Sequence, residues 1–195
     1  MSASSPLIVG LGGSPRERSV SRAATAAALD IVVAQGARAA MLDLRELALP
    51  IFHPEKELDE YDAPTRVNIE RLLDACGSAD AMIWVSPTYH GTVSGAFKNA
   101  LDFLEFLSND TPPYLTGKPV GLIAINDNKP FGAMASCAQE LRAWLAPTQV
   151  KLSKDDFDPA LRLTSADGQR RITRLVQELL GFVGFDGQPD DAAKH

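Results

Sequence analysis

Cysteine is scarce in this chain. Cys76 and Cys137 are the only two, they stand far apart, and neither belongs to a metal or dithiol spacing. Both fall in helix-like segments and read as core residues, which fits a reducing compartment. Long apolar runs are missing as well, so no segment is built to span a bilayer. No cationic, apolar, small-residue leader precedes Leu7. These absences predict a cytoplasmic protein. The three histidines, His53, His90 and His195, have no ligand partners nearby in sequence, and no metal site is implied. Excess positive charge is also lacking. The formal net charge of −6 disfavours nucleic acid or an anionic membrane surface as the main partner. Internal repeats and low-complexity tracts are absent too.

The 195 residues of the chain, 45% of them hydrophobic, suffice for one domain with a sizeable core. Strand-like and helix-like segments alternate, which predicts a parallel sheet covered on both faces. The strands are expected at Leu7–Leu11, Arg38–Leu44, Ala81–Val85, Pro119–Ile125 and Thr148–Leu152. Helices are expected from Ser19 to Gln35, Thr65 to Cys76, after Ser94, from Gly132 to about Leu145, and around Ile172–Leu179. Gly36 and Gly77 are read as helix stops, and Val67, Ile69, Leu72 and Leu73 as one apolar face. The proline-punctuated stretch Pro50–Pro64 reads as loop. It either covers the site or lies at a subunit interface. Residues 1–186 form the expected domain, and the small, charged residues 187–195 read as a disordered tail.

Two loops carry the chemistry. The first, Gly12-Gly13-Ser14-Pro15-Arg16-Glu17-Arg18-Ser19-Val20-Ser21, joins an apolar strand to an alanine-rich helix. Amides and the dipole at a helix N-terminus favour an anion. Hydroxyls of Ser14, Ser19 and Ser21 add neutral donors, and Arg16 adds a charged one. Arg18 and Arg22 stand nearby and either join it or face solvent. Capping alone would use one serine, so the set exceeds what a strand-to-helix turn needs. The loop contains no lysine, which excludes a Walker loop. Pro15 stands where a dinucleotide fingerprint needs its third glycine, and Asp43 lies too far along to be its acidic partner.

The second loop, Pro87-Thr88-Tyr89-His90-Gly91, follows the third strand, and Ser94 caps the helix after it. Ligands of open α/β sheets sit at such carboxyl ends. Tyr89 is placed to meet a flat ligand, the alternative being a half-buried aromatic at a strand end. His90 either touches that ligand or is a hydrogen-bonded bystander. Asn126, Asp127 and Lys129 follow the fourth strand and could edge the same ligand. Lys98 and Asp102, at i and i+4, are explained by an exposed helical ion pair.

Together these segments resemble the NAD(P)H-dependent FMN reductases of the flavodoxin-like superfamily. Gly13-Ser14-Pro15-Arg16-Glu17-Arg18-Ser19 matches the family's front loop, with Ser21 where asparagine is common. Pro87-Thr88-Tyr89-His90-Gly91 matches its second loop, and Lys98-Asn99-Ala100-Leu101-Asp102 its helix marker. Thr88 and His90 replace the Glu and Asn common in the family, which leaves the final electron acceptor open. The resemblance implies a flavodoxin-like, doubly wound five-stranded parallel sheet of order 2-1-3-4-5 in three α/β/α layers. FMN would bind at the switch point between the first and third strands. Ser14, Arg16, Ser19 and Ser21 would hold its phosphate, Pro87, Thr88, Tyr89, His90 and Gly91 its ring, and Asn126 the ring's edge. Hydride would come from NADPH or NADH and pass to a small acceptor or a partner monooxygenase, with no catalytic side chain required. A homodimer or homotetramer is implied. The alternatives are a flavodoxin-like electron carrier, a quinone or azo reductase with tightly bound FMN, and a flavin-free interaction module.

Overall fold

The computed structural model describes residues 5–185; the expected tail at 187–195 lies outside them. Five strands, β1 (Leu7–Gly12), β2 (Arg38–Asp43), β3 (Ala81–Pro87), β4 (Pro119–Ile125) and β5 (Trp144–Leu152), form one sheet. All pairings are parallel, and the order is β2-β1-β3-β4-β5. Strands covered on both faces need apolar residues at successive positions, which is why β1, β3 and β4 read as unbroken apolar runs.

Alternation along each strand splits the core in two. Ile8, Ile83, Val85, Ile123 and Val150 face α1 (Val20–Ala34) and the C-terminal helix (Ala166–Phe182). Val9, Leu11, Met82, Trp84 and Leu122 face the opposite layer. That layer holds α2 (Leu44–Leu47), α3 (Ala63–Ser78), α4 (Gly95–Asp102) with a 3₁₀ turn after it (Phe103–Leu107), and α5 (Pro130–Glu140); the C-terminal helix is α6. Phe97, Ala100, Leu101 and Leu104 are buried as the periodicity requires, and so are Ile172, Leu175, Val176 and Leu179. Cys76 is a core residue whose thiol burial pushes up to about 12, and half-buried Cys137 is pushed up for the same reason.

Several features differ from the sequence reading. Helix α3 continues through Gly77 to Ser78, because the Lys118 ammonium donates to the carbonyls of Cys76, Gly77 and Ala79 and caps the end from outside. Val67 is 60% exposed; two residues from Ile69, it sits on the opposite side of the helix. Helix α5 stops at Glu140 rather than near Leu145. Arg142 there adopts φ 62°, while its amide bonds Gln139 O and that of Ala143 bonds Ala138 O. This is a Schellman ending without the glycine that would have announced it. Strand β5 accordingly begins at Trp144, and its register slips between Val120↔Leu145 and Leu122↔Gln149, around the donor-less Pro147.

Helix α6 is pinned to β5 by Glu178. Burial opposes ionisation of its carboxyl, but bonds from Thr148 N–H (2.8 Å), Thr148 Oγ1 (2.6 Å) and Arg174 Nε (3.2 Å) outweigh it, so the group titrates below its ordinary 4.5. A carboxyl whose pKa folding lowers stabilises above its unfolded pKa and loses that contribution as pH falls through the folded value. Glu178→Gln is therefore expected to cost about 1 kcal/mol at neutral pH and much less at about pH 2, checked by urea denaturation at both.

Candidate functional site

Register brings Gly12, Asp43, Pro87, Ile125 and Leu152 to one edge of the sheet. The first loop leaves that edge from Gly12. A Cβ at Gly12 would lie 2.2 Å from Thr25 Oγ1 of α1 and 2.9 Å from Val85 Cβ. Only glycine permits α1 to start this close to the strand. Gly13 then turns at φ +106°, packed against the Asp43 carboxylate.

The hydroxyl residues of this loop point inward. Ser14, Ser19 and Ser21 are 4%, 5% and 2% exposed. Ser14 Oγ accepts from the Arg16 amide (3.3 Å), Ser19 Oγ caps α1 by accepting from the Arg22 amide (3.2 Å), and Ser19 and Ser21 share a bond of 2.9 Å. The first turn of α1 carries no acidic residue. With the Ala23 amide bonded to Ser19 O, the amides of Val20 and Ser21 are those the helix itself does not use.

The three arginines near the loop separate. Arg22 turns away to buried Asp43 (2.5 Å) and toward Glu46 (3.9 Å), and Arg18 donates to Pro159 O. Arg16 alone reaches the second loop, its guanidinium 5.8 Å from the centroid of the Tyr89 ring.

The second loop is a two-residue hairpin turn. Tyr89 and Thr92 exchange both backbone bonds at 3.0 Å, with His90 at φ 49° and Gly91 at φ 82° between them. Positive φ at both central positions defines a type I′ turn. That geometry suits His90, since histidine is among the residue types enriched in the left-handed region. Thr88 Oγ1 donates to Ile125 O (2.9 Å), and Ser86 Oγ receives the Ser94 amide (3.1 Å), so the turn is tied to β4 and to α4. His90 and Gly91 are exposed; Pro87, Thr88 and Tyr89 are half-buried.

The third loop lies one strand further along. Asn126 is exposed at φ 74°, with its amide on Leu152 O (2.7 Å). A bond from the Lys129 amide holds the Asp127 carboxyl below its ordinary value, and the Lys129 stem crosses Gly91. Ser14, Arg16, Ser19 and Ser21 thus come together, and Arg16 joins them to Tyr89. Asn126 is on the same edge and is linked only through the backbone of its strand. Thr25, Asp43 and Asn99 help build the site and carried no functional reading from sequence: their partners lie on other elements.

Residues 6–153 match the family described as NADPH-dependent FMN reductase, a span that contains all five strands and all three loops. The chain belongs to that family. An FMN-dependent NADPH-azoreductase of Staphylococcus aureus is 32% identical over 124 residues, 60% of this chain and 63% of the azoreductase, so the match spans less than two thirds of that relative. The fold is shared with the NAD(P)H:(acceptor) oxidoreductase FerB of Paracoccus denitrificans (TM-score 0.70, 16% identity, 92% of this chain and 97% of that one). It is also shared with an apo NADH:FMN oxidoreductase (TM-score 0.66, 17% identity, 95% and 92%). In this member of the reductase family, no helix among the described residues is long and apolar enough to cross a membrane.

The turn geometry of this FMN reductase family member is directly testable. His90→Asn should leave stability within about 0.5 kcal/mol, whereas His90→Val, β-branched at positive φ, should cost about 1–2 kcal/mol in urea denaturation. Equal effects of the two would contradict the type I′ assignment.

Proposed function

We propose that the protein is an NAD(P)H-dependent FMN reductase and that its first and second loops hold the cofactor. The observation that carries this reading is the meeting of Arg16 with Tyr89 across the β1/β3 switch point, above a set of buried serine hydroxyls. A phosphate fits the donor set: three hydroxyls, the helix amides of Val20 and Ser21, one free-standing guanidinium and no acid in the first turn of α1. Asp43, the buried carboxylate packed against Gly13, is already paired with Arg22, so it adds little repulsion.

Ser14, Arg16, Ser19 and Ser21 would hold the phosphate. The backbone of Pro87, Thr88, Tyr89, His90 and Gly91 would carry one face and edge of the ring, with Asn126 at its rim. FMN supplies the hydride-accepting chemistry when bound, and the protein supplies placement and a defined electrostatic setting. Tyr89 is kept in place by its hairpin partner Thr92 and by Arg16, and Thr88 fixes the turn to β4. No side chain is required to move a proton in hydride transfer from the reduced nicotinamide. Electrons then pass to a small acceptor or a partner monooxygenase. The azoreductase relative supports an acceptor with an azo group.

A homodimer or homotetramer completes the proposal. Trp144 (60% exposed), Leu145 (39%) and Phe182 (53%) supply apolar surface at the β5 edge. Sedimentation at working concentration should show an oligomer, and a lone monomer would contradict this part.

Anaerobic titration of the FMN-reconstituted protein with NADPH and NADH tests the whole reading. Bleaching of the flavin well beyond the rate of free FMN is expected. Bound flavin that stays oxidised would identify an electron carrier, and absence of binding would leave only the fold. Arg16→Ala should weaken FMN affinity by about fivefold or more, as loss of one charge-assisted hydrogen bond implies. Unchanged affinity would remove Arg16 from the site.

A further inference from the structure

The helix marker Lys98-Asn99 has two fates. Lys98 pairs with Asp102 on the exposed side of α4. Asn99 instead reaches back nearly fifty positions to the proline-rich segment: its Oδ1 accepts from the Phe52 amide (2.9 Å) and its Nδ2 donates to Pro50 O (2.7 Å). Both halves of the amide are used on backbone groups of one short stretch. No other side-chain type of this length presents a donor and an acceptor in that arrangement.

The same stretch is anchored by aromatics. Phe52 packs edge-on against Phe103 (5.3 Å) and Phe106 (6.1 Å), and Tyr61 closes on Phe103 (6.0 Å) at the far end. Residues 50–62 are therefore a strap held at both ends, with Asn99 at the end nearer the candidate site. Just before it, Ala48 takes φ 42° and delivers Leu49 into the strap. Ala48 and Leu49 form one wall of a cavity of about 260 Å³. Across that cavity stands Pro15, the residue between Ser14 and Arg16, and Asn99 itself and Ala96 close the α4 side.

Helix α4 begins directly after the second loop, capped by Ser94, whose amide bonds Ser86 of β3. Ala48 and Leu49, which lead into the strap, line the same cavity as Pro15 of the first loop. Asn99 thus joins the framework of one loop to the wall beside the other.

We infer that Asn99 is a positioning residue for the phosphate loop: by gripping Pro50 and Phe52 it fixes the wall opposite Pro15 and limits how far Ser14 and Arg16 can move from the geometry that meets a phosphate. The inference rests on the functional reading above. Without the grip, the strap can withdraw, the cavity beside Pro15 widens, and the loop tip gains freedom that must be removed again on binding.

FMN and riboflavin differ only in the phosphate, so their relative affinity isolates the first loop from the rest of the site. Flavin fluorescence titrations should be run on the wild type, Asn99→Leu (similar volume, neither bond) and Asn99→Asp (acceptor kept, donor lost), with hydrogen exchange following the Phe52 amide. Asn99→Leu is expected to weaken FMN about tenfold while leaving riboflavin within about twofold, with Asn99→Asp between, and Phe52 exchanging faster in the Leu variant. Should Asn99→Leu fail to fold, Asn99→Asp carries the same comparison. A wild-type preference for FMN that persists in the variants, or an equal loss of both flavins, would overturn the inference and leave the functional reading intact. A wild type without preference for FMN over riboflavin would overturn both.

Discussion

Strands β1 and β3 lie side by side, yet the helices that follow them go to opposite faces of the sheet. Parallel strands oblige each connection to cross over one face, and two neighbouring crossovers on different faces must part at the strand ends. The loops after Gly12 and Pro87 part at the strand ends, and such a parting is where open α/β sheets form a ligand crevice. Everything proposed for this protein depends on that divergence. The serines and Arg16 enter from one side, the Tyr89 hairpin from the other, and Arg16 over Tyr89 is where they meet.

The crevice is then shaped by contacts that exclude alternatives. Thr25 pressed against Gly12 sets how near α1 comes to β1, and with it where the helix amides lie. Thr88 on Ile125 O and Ser86 under the Ser94 amide keep the hairpin from swinging. Beside the first loop, Ala48, Leu49 and Asn99 line a cavity with Pro15, and Asn99 and Phe52 pin the strap that Leu49 enters. Rigid support of this kind lets loops carry a binding site while strands and helices bear the stability.

Electrostatics works at the same short range. A chain of net charge −6 still presents cationic and neutral donors at one helix start, beside a buried carboxylate that is already paired. Asp43, 2% exposed beside Gly13, is bonded by Arg22 Nε and by the Arg45 amide, and Glu46 lies between Arg22 and Arg71. Arg22, which sequence proximity offered as a phosphate ligand, serves instead to neutralise the carboxylate that would oppose one. Buried charge is tolerated only when paired, and that requirement decides which arginine remains for a ligand.

Local chemistry made much of this legible without coordinates. Unbroken apolar runs marked β1, β3 and β4, Ser19 and Ser94 marked helix starts, Gly36 marked an end, and the glycine–serine and proline–tyrosine–glycine loops marked the candidate site and the family. These signals are readable because each depends on neighbours within a few residues. What had no such dependence was invisible: the extension of α3 through Gly77 under the Lys118 ammonium, the glycine-free end of α5 and the slipped register of β5. The same holds for the division of labour among Arg16, Arg18 and Arg22, and for the grip of Asn99 on Pro50 and Phe52. The sequence by itself determined the alternating α/β class and the types of donors offered at the strand ends, and its resemblance to the reductase family supplied the strand order. Only the tertiary structure decided which of those donors are free, because that depends on partners dozens of residues away, and a charge or amide is spent wherever burial demands that it be paired.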